Sequence, residues 1–230
     1  MNPNELLKNF ETLTTFIEDN FTNGRREQLL EFYGKLADRI ATAPASTKKG
    51  FHNAFPGGYV LHVLNVINCA NKLSALWSDL GYQNDYTAEE LNFVALNHDL
   101  GKIGSLQADY YIPCTEEWLR KKGTEYVINP VLQYMKVPER SLLLLQQSGI
   151  KITEKEYLAI KLHDGLYEDG NKAYFINYNE DMALKSNLPY VIHQADLIAS
   201  KIEGQPSTNI KPKSGPAKTG NRTLDKFLNE

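Results

Sequence analysis

Cysteine is scarce in this chain. Cys69 and Cys114 are the two that occur in 230 residues, and they form no C-x-x-C pair. That leaves a disulfide without support, and both thiols read as reduced and buried. Long apolar runs are absent too, and nothing approaches the roughly 18 residues that cross a bilayer. The start, Met1-Asn2-Pro3-Asn4-Glu5, lacks the basic-then-apolar order of a secretory leader. A cytoplasmic protein is the expectation. Neither sign of charge dominates: 25 basic against 28 acidic residues give −3, which argues against a protein that coats nucleic acid. No internal repeat is visible.

What is present is ordinary globular material, 42% hydrophobic and 23% charged, with enough length to bury one sizeable core. Charge is unevenly spread. Residues 205–222 carry Lys211, Lys213, Lys218 and Arg222 and no acid, so this stretch is +4 and the remainder −7. Its Pro/Ser/Gly/Lys composition predicts a mobile basic tail over 205–230, with a short helical turn at Leu224–Leu228.

Helical periodicity accounts for most of the rest. Leu6, Leu7, Phe10, Leu13 and Ile17, then Leu29, Leu30, Phe32, Tyr33, Leu36, Ala37 and Ile40, predict two helices within residues 4–41. Ala41 to Gly58 is a loop by composition, and a long amphipathic helix follows from Tyr59 to Leu80. Thr87 to Glu90 and Thr153 to Glu156 are capping boxes; their helices end at His98 and His163. Shorter helices are expected at 115–122 and 138–147, and a last long one from Asn187-Leu188-Pro189 through Glu203. Glu125–Ile128 and Ala173–Ile176 have strand composition and are expected to pair as a minor antiparallel ribbon. The fold class is mostly α. The chain divides into N-terminal helices (1–45) packing on the core, a main domain (46–204) and the tail (205–230).

The five histidines carry the chemistry. Stepping by three and four from His62 gives Val66, Cys69, Leu73 and Leu76, an apolar stripe. Stepping back from His98 gives Ala95, Val94 and Leu91, and from His163 gives Ile160 and Ala159. His193 follows Pro189 by one turn, and Asp196 lies one turn beyond on the same side. Four helices thus aim titratable groups inward. A single such histidine is commonly a hydrogen-bonded core residue, but several without partners cost a few kcal/mol each. A divalent cation, or a pair, satisfies them together.

The residues Gly57-Gly58-Tyr59-Val60-Leu61-His62, then Leu96-Asn97-His98-Asp99-Leu100-Gly101-Lys102, then His193-Gln194-Ala195-Asp196 resemble the HD-domain superfamily of metal-dependent phosphohydrolases across residues 50–203. The pattern is most similar to two-metal members, which include HD-domain 3′→5′ exoribonucleases and cyclic-dinucleotide phosphodiesterases. It departs from the exoribonuclease-like run at Asp164, where a second histidine stands in that pattern. The resemblance implies an HD-domain helical bundle and a first metal held by His62, His98, Asp99 and Asp196. On the same resemblance, Asp99 would bridge to a second metal held by His163 and His193. Nitrogen and carboxylate donors suit Mn, Fe, Co, Ni or Zn. It further implies phosphoester hydrolysis by a metal-activated hydroxide, with Asp99 and Lys102 in the catalytic machinery and Lys102 placing its charge on the phosphate.

His52, in the loop before the glycine pair, is expected to border the site and contact the substrate phosphate or protonate a leaving oxygen; a loop histidine with no role is the plain alternative. Asp164 is expected to cap its helix or accept from His163. The expected substrate is a phosphorylated small molecule or nucleotide, a cyclic dinucleotide or a single-stranded nucleic-acid end, with no membrane partner. Two other readings use the same residues: a di-iron oxygenase on this fold, and a non-catalytic nucleotide-binding HD module.

Overall fold

A computed structural model describes residues 1–205. The expected basic tail beyond Gln205 and the Leu224–Leu228 turn lie outside the described residues. Within them the chain forms α1 (Pro3–Asn20), α2 (Arg25–Lys35), α3 (Ala37–Thr42), α4 (Gly58–Asp79), α5 (Ala88–Asn97), β1 (Tyr111–Pro113), α6 (Glu117–Lys121), β2 (Tyr126–Ile128), α7 (Val137–Gln147), α8 (Glu154–Leu162), α9 (Lys172–Phe175) and α10 (Leu188–Glu203). It is mostly α with one small ribbon, as the periodicity predicts. No helix among the described residues is long and apolar enough to cross a membrane.

The centre is a packed set of α4, α5, α8 and α10, with α4 and α10 running along one another. Helices α1 to α3 close one side of α4, and their Leu13, Ile17, Leu29, Tyr33 and Ile40 join the same buried cluster as Val66, Leu96, Ile160 and Val191. Each such side chain contributes about 1.5–3 kcal/mol on burial.

Three N-terminal helices form where two were expected. Leu36, at φ −113° and ψ 19°, interrupts the second. Ile40 still returns to the core beyond the break, so the apolar spacing runs through it. The α4 stripe also fades: His62 and Val66 are buried, whereas Leu76 is 49% exposed.

The ribbon is a second correction. β2 pairs with β1, Tyr111 opposite Ile128 and Pro113 opposite Tyr126. Ala173–Phe175 lies in α9. Four residues are too few to show a period, and β1 is much nearer in sequence, so its loop closes at lower entropic cost.

Two features of the fold place the site. Gly57, at φ 82°, turns the chain into α4, and a Cβ on Gly58 would lie 2.0 Å from the carbonyl oxygen of Asn53. Only glycine lets the 41–58 loop fold this closely over the first turns of α4. Helices α5 and α8 share a second device. Each opens with a complete Thr-x-x-Glu capping box, from Thr87 and from Thr153, and each ends with a histidine as its C-cap residue.

Candidate metal centre

One loop and four helices bring all five histidines of the chain together. Ring centroids lie 4.7 Å apart for His52 and His62, 5.4 Å for His62 and His98, and 5.0 Å for His98 and His163. His193 joins through its Nδ1, 2.9 Å from the carbonyl oxygen of His163. His62 and His98 are fully buried, and Asp99 and His163 nearly so.

The C-cap position explains how two of these rings are aimed. At the end of a helix the last carbonyls have no backbone partner. His98 Nδ1 donates to Ala95 O at 2.9 Å, and His163 Nδ1 to Ile160 O at 2.8 Å. A carbonyl only accepts, so Nδ1 carries the proton in both rings, as it does in His193. In each case Nε2 is the ring nitrogen without a backbone partner.

Asp99, at φ −103° and ψ 13°, ends the helical run and leads into a 3₁₀ turn over Leu100–Ile103. Ser141 of α7 fastens that turn: its Oγ accepts from Gly101 N at 2.8 Å and lies 3.0 Å from both His98 O and Val137 O, either of which its proton can reach. The Asp99 carboxylate is thereby fixed with its oxygens facing apart. Oδ2 lies 3.3 Å from His62 Nε2, 3.5 Å from His98 Nε2 and 2.6 Å from Lys102 Nζ. Oδ1 lies 3.4 Å from His163 Nε2. Asp196 Oδ1 reaches His62 Nε2 at 3.1 Å.

This donor set fits a cation. His62 Nε2 and His98 Nε2 face each other at 3.4 Å, closing a triangle with Asp99 Oδ2 whose other edges are 3.3 and 3.5 Å. Donors held about 2.0–2.1 Å from one ion at tetrahedral angles lie about 3.3–3.4 Å apart. The buried His62, His98 and Asp99 group could therefore hold a divalent metal ion.

The electrostatics point the same way. Burial opposes a charged His62, but Asp196, Asp99 and Glu203 outweigh it and push its pKa well above the usual value. Burial likewise opposes a charged His163, yet Asp164 and Asp99 raise it to about 9. Asp99 is held well below the usual carboxylate range by Lys102 and the histidines, against its burial. Carboxylates packed this closely demand positive charge, and protons fill the place that a cation would take.

The outer wall is a cleft of about 420 Å³ lined by His52, Lys102, Lys136, Tyr167, Ser200 and Lys201 together with the inner residues. Lys102 is 13% exposed at its floor. His52 borders the cleft as expected from its loop; its Nε2 is buried without a hydrogen-bond partner, and burial beside Lys102 lowers its pKa to about 4. A larger groove of about 800 Å³ between α7 and α8 is lined by Leu142, Leu143, Ile150 and Tyr157 but contains no histidine, so the candidate metal site lies on the smaller cleft.

The residues singled out from the sequence line or border one cleft, but of the six expected ligands only His62, His98 and Asp99 bring donor atoms within 4.8 Å of one another as a group of three, and Asp164 changes role. Asp164 neither caps α8, where His163 is the C-cap residue, nor accepts from His163 Nδ1, which Ile160 holds. Its Oδ1 stands 3.7 Å from the other nitrogen, Nε2, and its side chain is 46% exposed. Sequence reading missed Ser141 and Glu203. Nothing in the sequence marks Ser141. Glu203 carries a signal: it lies two helical turns beyond Asp196, on the face of α10 that bears His193 and Asp196.

No family model, curated protein or solved structure matches the chain.

Proposed function

We propose that the chain is a metal-dependent phosphoric ester hydrolase of the HD-domain type. The observation that carries this reading is Asp99, whose Oδ2 faces His62 and His98 while its Oδ1 faces His163. One carboxylate turned to two imidazoles on one side and to His163 on the other is an arrangement that a pair of cations would use. His62, His98, Asp99 and Asp196 would hold one, and Asp99, His163 and His193 the other. Two such ions, of Mn, Fe, Co, Ni or Zn, would supply a nucleophile from water at neutral pH and neutralise the non-bridging phosphate oxygens.

The chain's own groups do the rest. Burial disfavours a charged Lys102, but Asp99 raises its pKa, so it is an ammonium at neutral pH, set to bind a phosphate oxygen as negative charge builds. His52 lines the same cleft, beside the ester. Lys136, Lys201 and Tyr167 shape the mouth. A cleft of about 420 Å³ admits a small molecule or one nucleotide unit at a time. The proposed substrate is a phosphorylated small molecule or nucleotide, a cyclic dinucleotide or a single-stranded nucleic-acid end.

The test is a screen of metal-reconstituted protein against nucleotides, cyclic dinucleotides and short oligonucleotides, read by phosphate release and product mass. Alongside it, Asp99→Ala should lose both cation uptake and hydrolysis of bis(p-nitrophenyl) phosphate while keeping a wild-type far-UV spectrum. A variant as active as wild type, or a wild-type chain that takes up no divalent cation, would sink the reading. Oxygen uptake by iron-loaded protein without ester hydrolysis would replace it with di-iron oxidation.

A further inference from the structure

Three of the four inward histidines have Nδ1 held by a backbone carbonyl: His98 by Ala95, His163 by Ile160 and His193 by His163. His62 has no such resource. It lies within α4, where the carbonyl three residues back is already part of the helical ladder. Its Nδ1 instead meets Glu203 Oε2 at 3.0 Å. Glu203 belongs to the last turn of α10, its side chain is 4% exposed, and its second oxygen accepts from Asn65 Nδ2 at 2.7 Å. A buried carboxylate clamped by one amide and aimed at one ring nitrogen is a built arrangement, reached across 141 residues of sequence.

We propose that Glu203 is the positioning residue for His62, binding the Nδ1 proton so that the Nε2 lone pair faces the centre. The inference rests on His62 being a cation ligand, as set out above. A carboxylate behind a ligating imidazole fixes its tautomer and orientation and raises its basicity. His52 also approaches this spot, and the donor atoms of His52, His62 and Glu203 all lie within 4.8 Å of one another. While it donates to Glu203, Nδ1 has no lone pair, so on this proposal these three are not a separate cation site. His62 Nε2, lying 3.1 Å from Asp196 and 3.3 Å from Asp99, is the nitrogen directed at the centre.

The experiment compares the wild-type chain with Glu203→Ala and Glu203→Gln, titrating each with cobalt(II) against a chelating dye and following the visible cobalt spectrum. Far-UV circular dichroism confirms that each variant is folded. Glu203→Ala should bind cobalt about 10–100-fold more weakly. Glu203→Gln keeps an acceptor oxygen at the same place and should stay within a few-fold of wild type, with the wild-type spectrum. Undiminished binding by Glu203→Ala overturns the proposal. So does a Glu203→Gln variant that falls as far as the alanine variant, since the carboxylate would then be acting as a ligand itself. Failure of the wild-type chain to bind cobalt would instead remove the metal reading beneath it, so the two failures are distinguishable.

Discussion

Gly165 has no side chain where the His193 imidazole lies: a Cβ there would stand 2.1 Å from His193 Cε1 and 2.4 Å from both ring nitrogens. Its φ of 56° is also one that other residues adopt at a cost of about 1–2 kcal/mol. Gly165→Ala should therefore displace His193 and lower the cation content from two per chain to one, by elemental analysis of the reconstituted protein. Undiminished content would show that His193 is no ligand. Lys102 makes a contrasting case. Its partner Asp99 would be compensated by cations when they are bound, so Lys102→Ala should keep its metal. It should lose about 100- to 1,000-fold in kcat on a phosphodiester, the usual cost of removing one charge-stabilising donor. A variant that loses metal as well as activity would make Lys102 structural.

Helix α8 shows how residues at one end of an element set a candidate ligand at the other. Its end carries His163 and its start carries Glu156, which is fully buried and accepts from Thr153 N at 2.7 Å. Arg25 of α2 grips the same carboxylate with both nitrogens, at 2.6 and 2.9 Å, and its guanidinium lies over the Phe93 ring of α5. Removing one partner leaves a buried charge alone. Arg25→Ala should cost about 3 kcal/mol in urea unfolding, and a change near zero would show that the cap alone suffices for Glu156. The contrast in legibility lies in these same residues. The two Thr-x-x-Glu boxes, the apolar spacing and the inward histidines could all be read from the sequence, because each is a local pattern that the helix period imposes. The Arg25–Glu156 and His62–Glu203 pairs, the Ser141 fastening and the β1–β2 register could not. They join residues far apart in the chain, and only the packed fold brings them together.

At the scale of the whole molecule, the clustered histidines predict how stability depends on pH with and without cations. His163 has a folded pKa of about 9 and a usual value of 6.5, and His62 is raised well above that value. A raised folded pKa contributes stability that is complete below 6.5 and is lost as pH climbs through the folded value. His52 runs the other way. Its folded pKa of about 4 contributes stability that is complete above 6.5 and lost as pH falls toward 4. Asp99 and Asp196 are depressed, so their contribution is already complete above the ordinary carboxylate range and stays flat here. The chelator-treated chain should therefore be most stable near pH 6.5 and melt at progressively lower temperature toward pH 9. Cation-loaded protein should not follow it down. Its donors must shed their protons to bind, so affinity rises over the same interval and the gap between the two melting curves widens. Thermal melts in parallel with chelator and with manganese or zinc measure that gap directly. If it stays constant from pH 6.5 to 9, protons and cations are not competing for these imidazoles, and the histidines hold the fold together without holding metal.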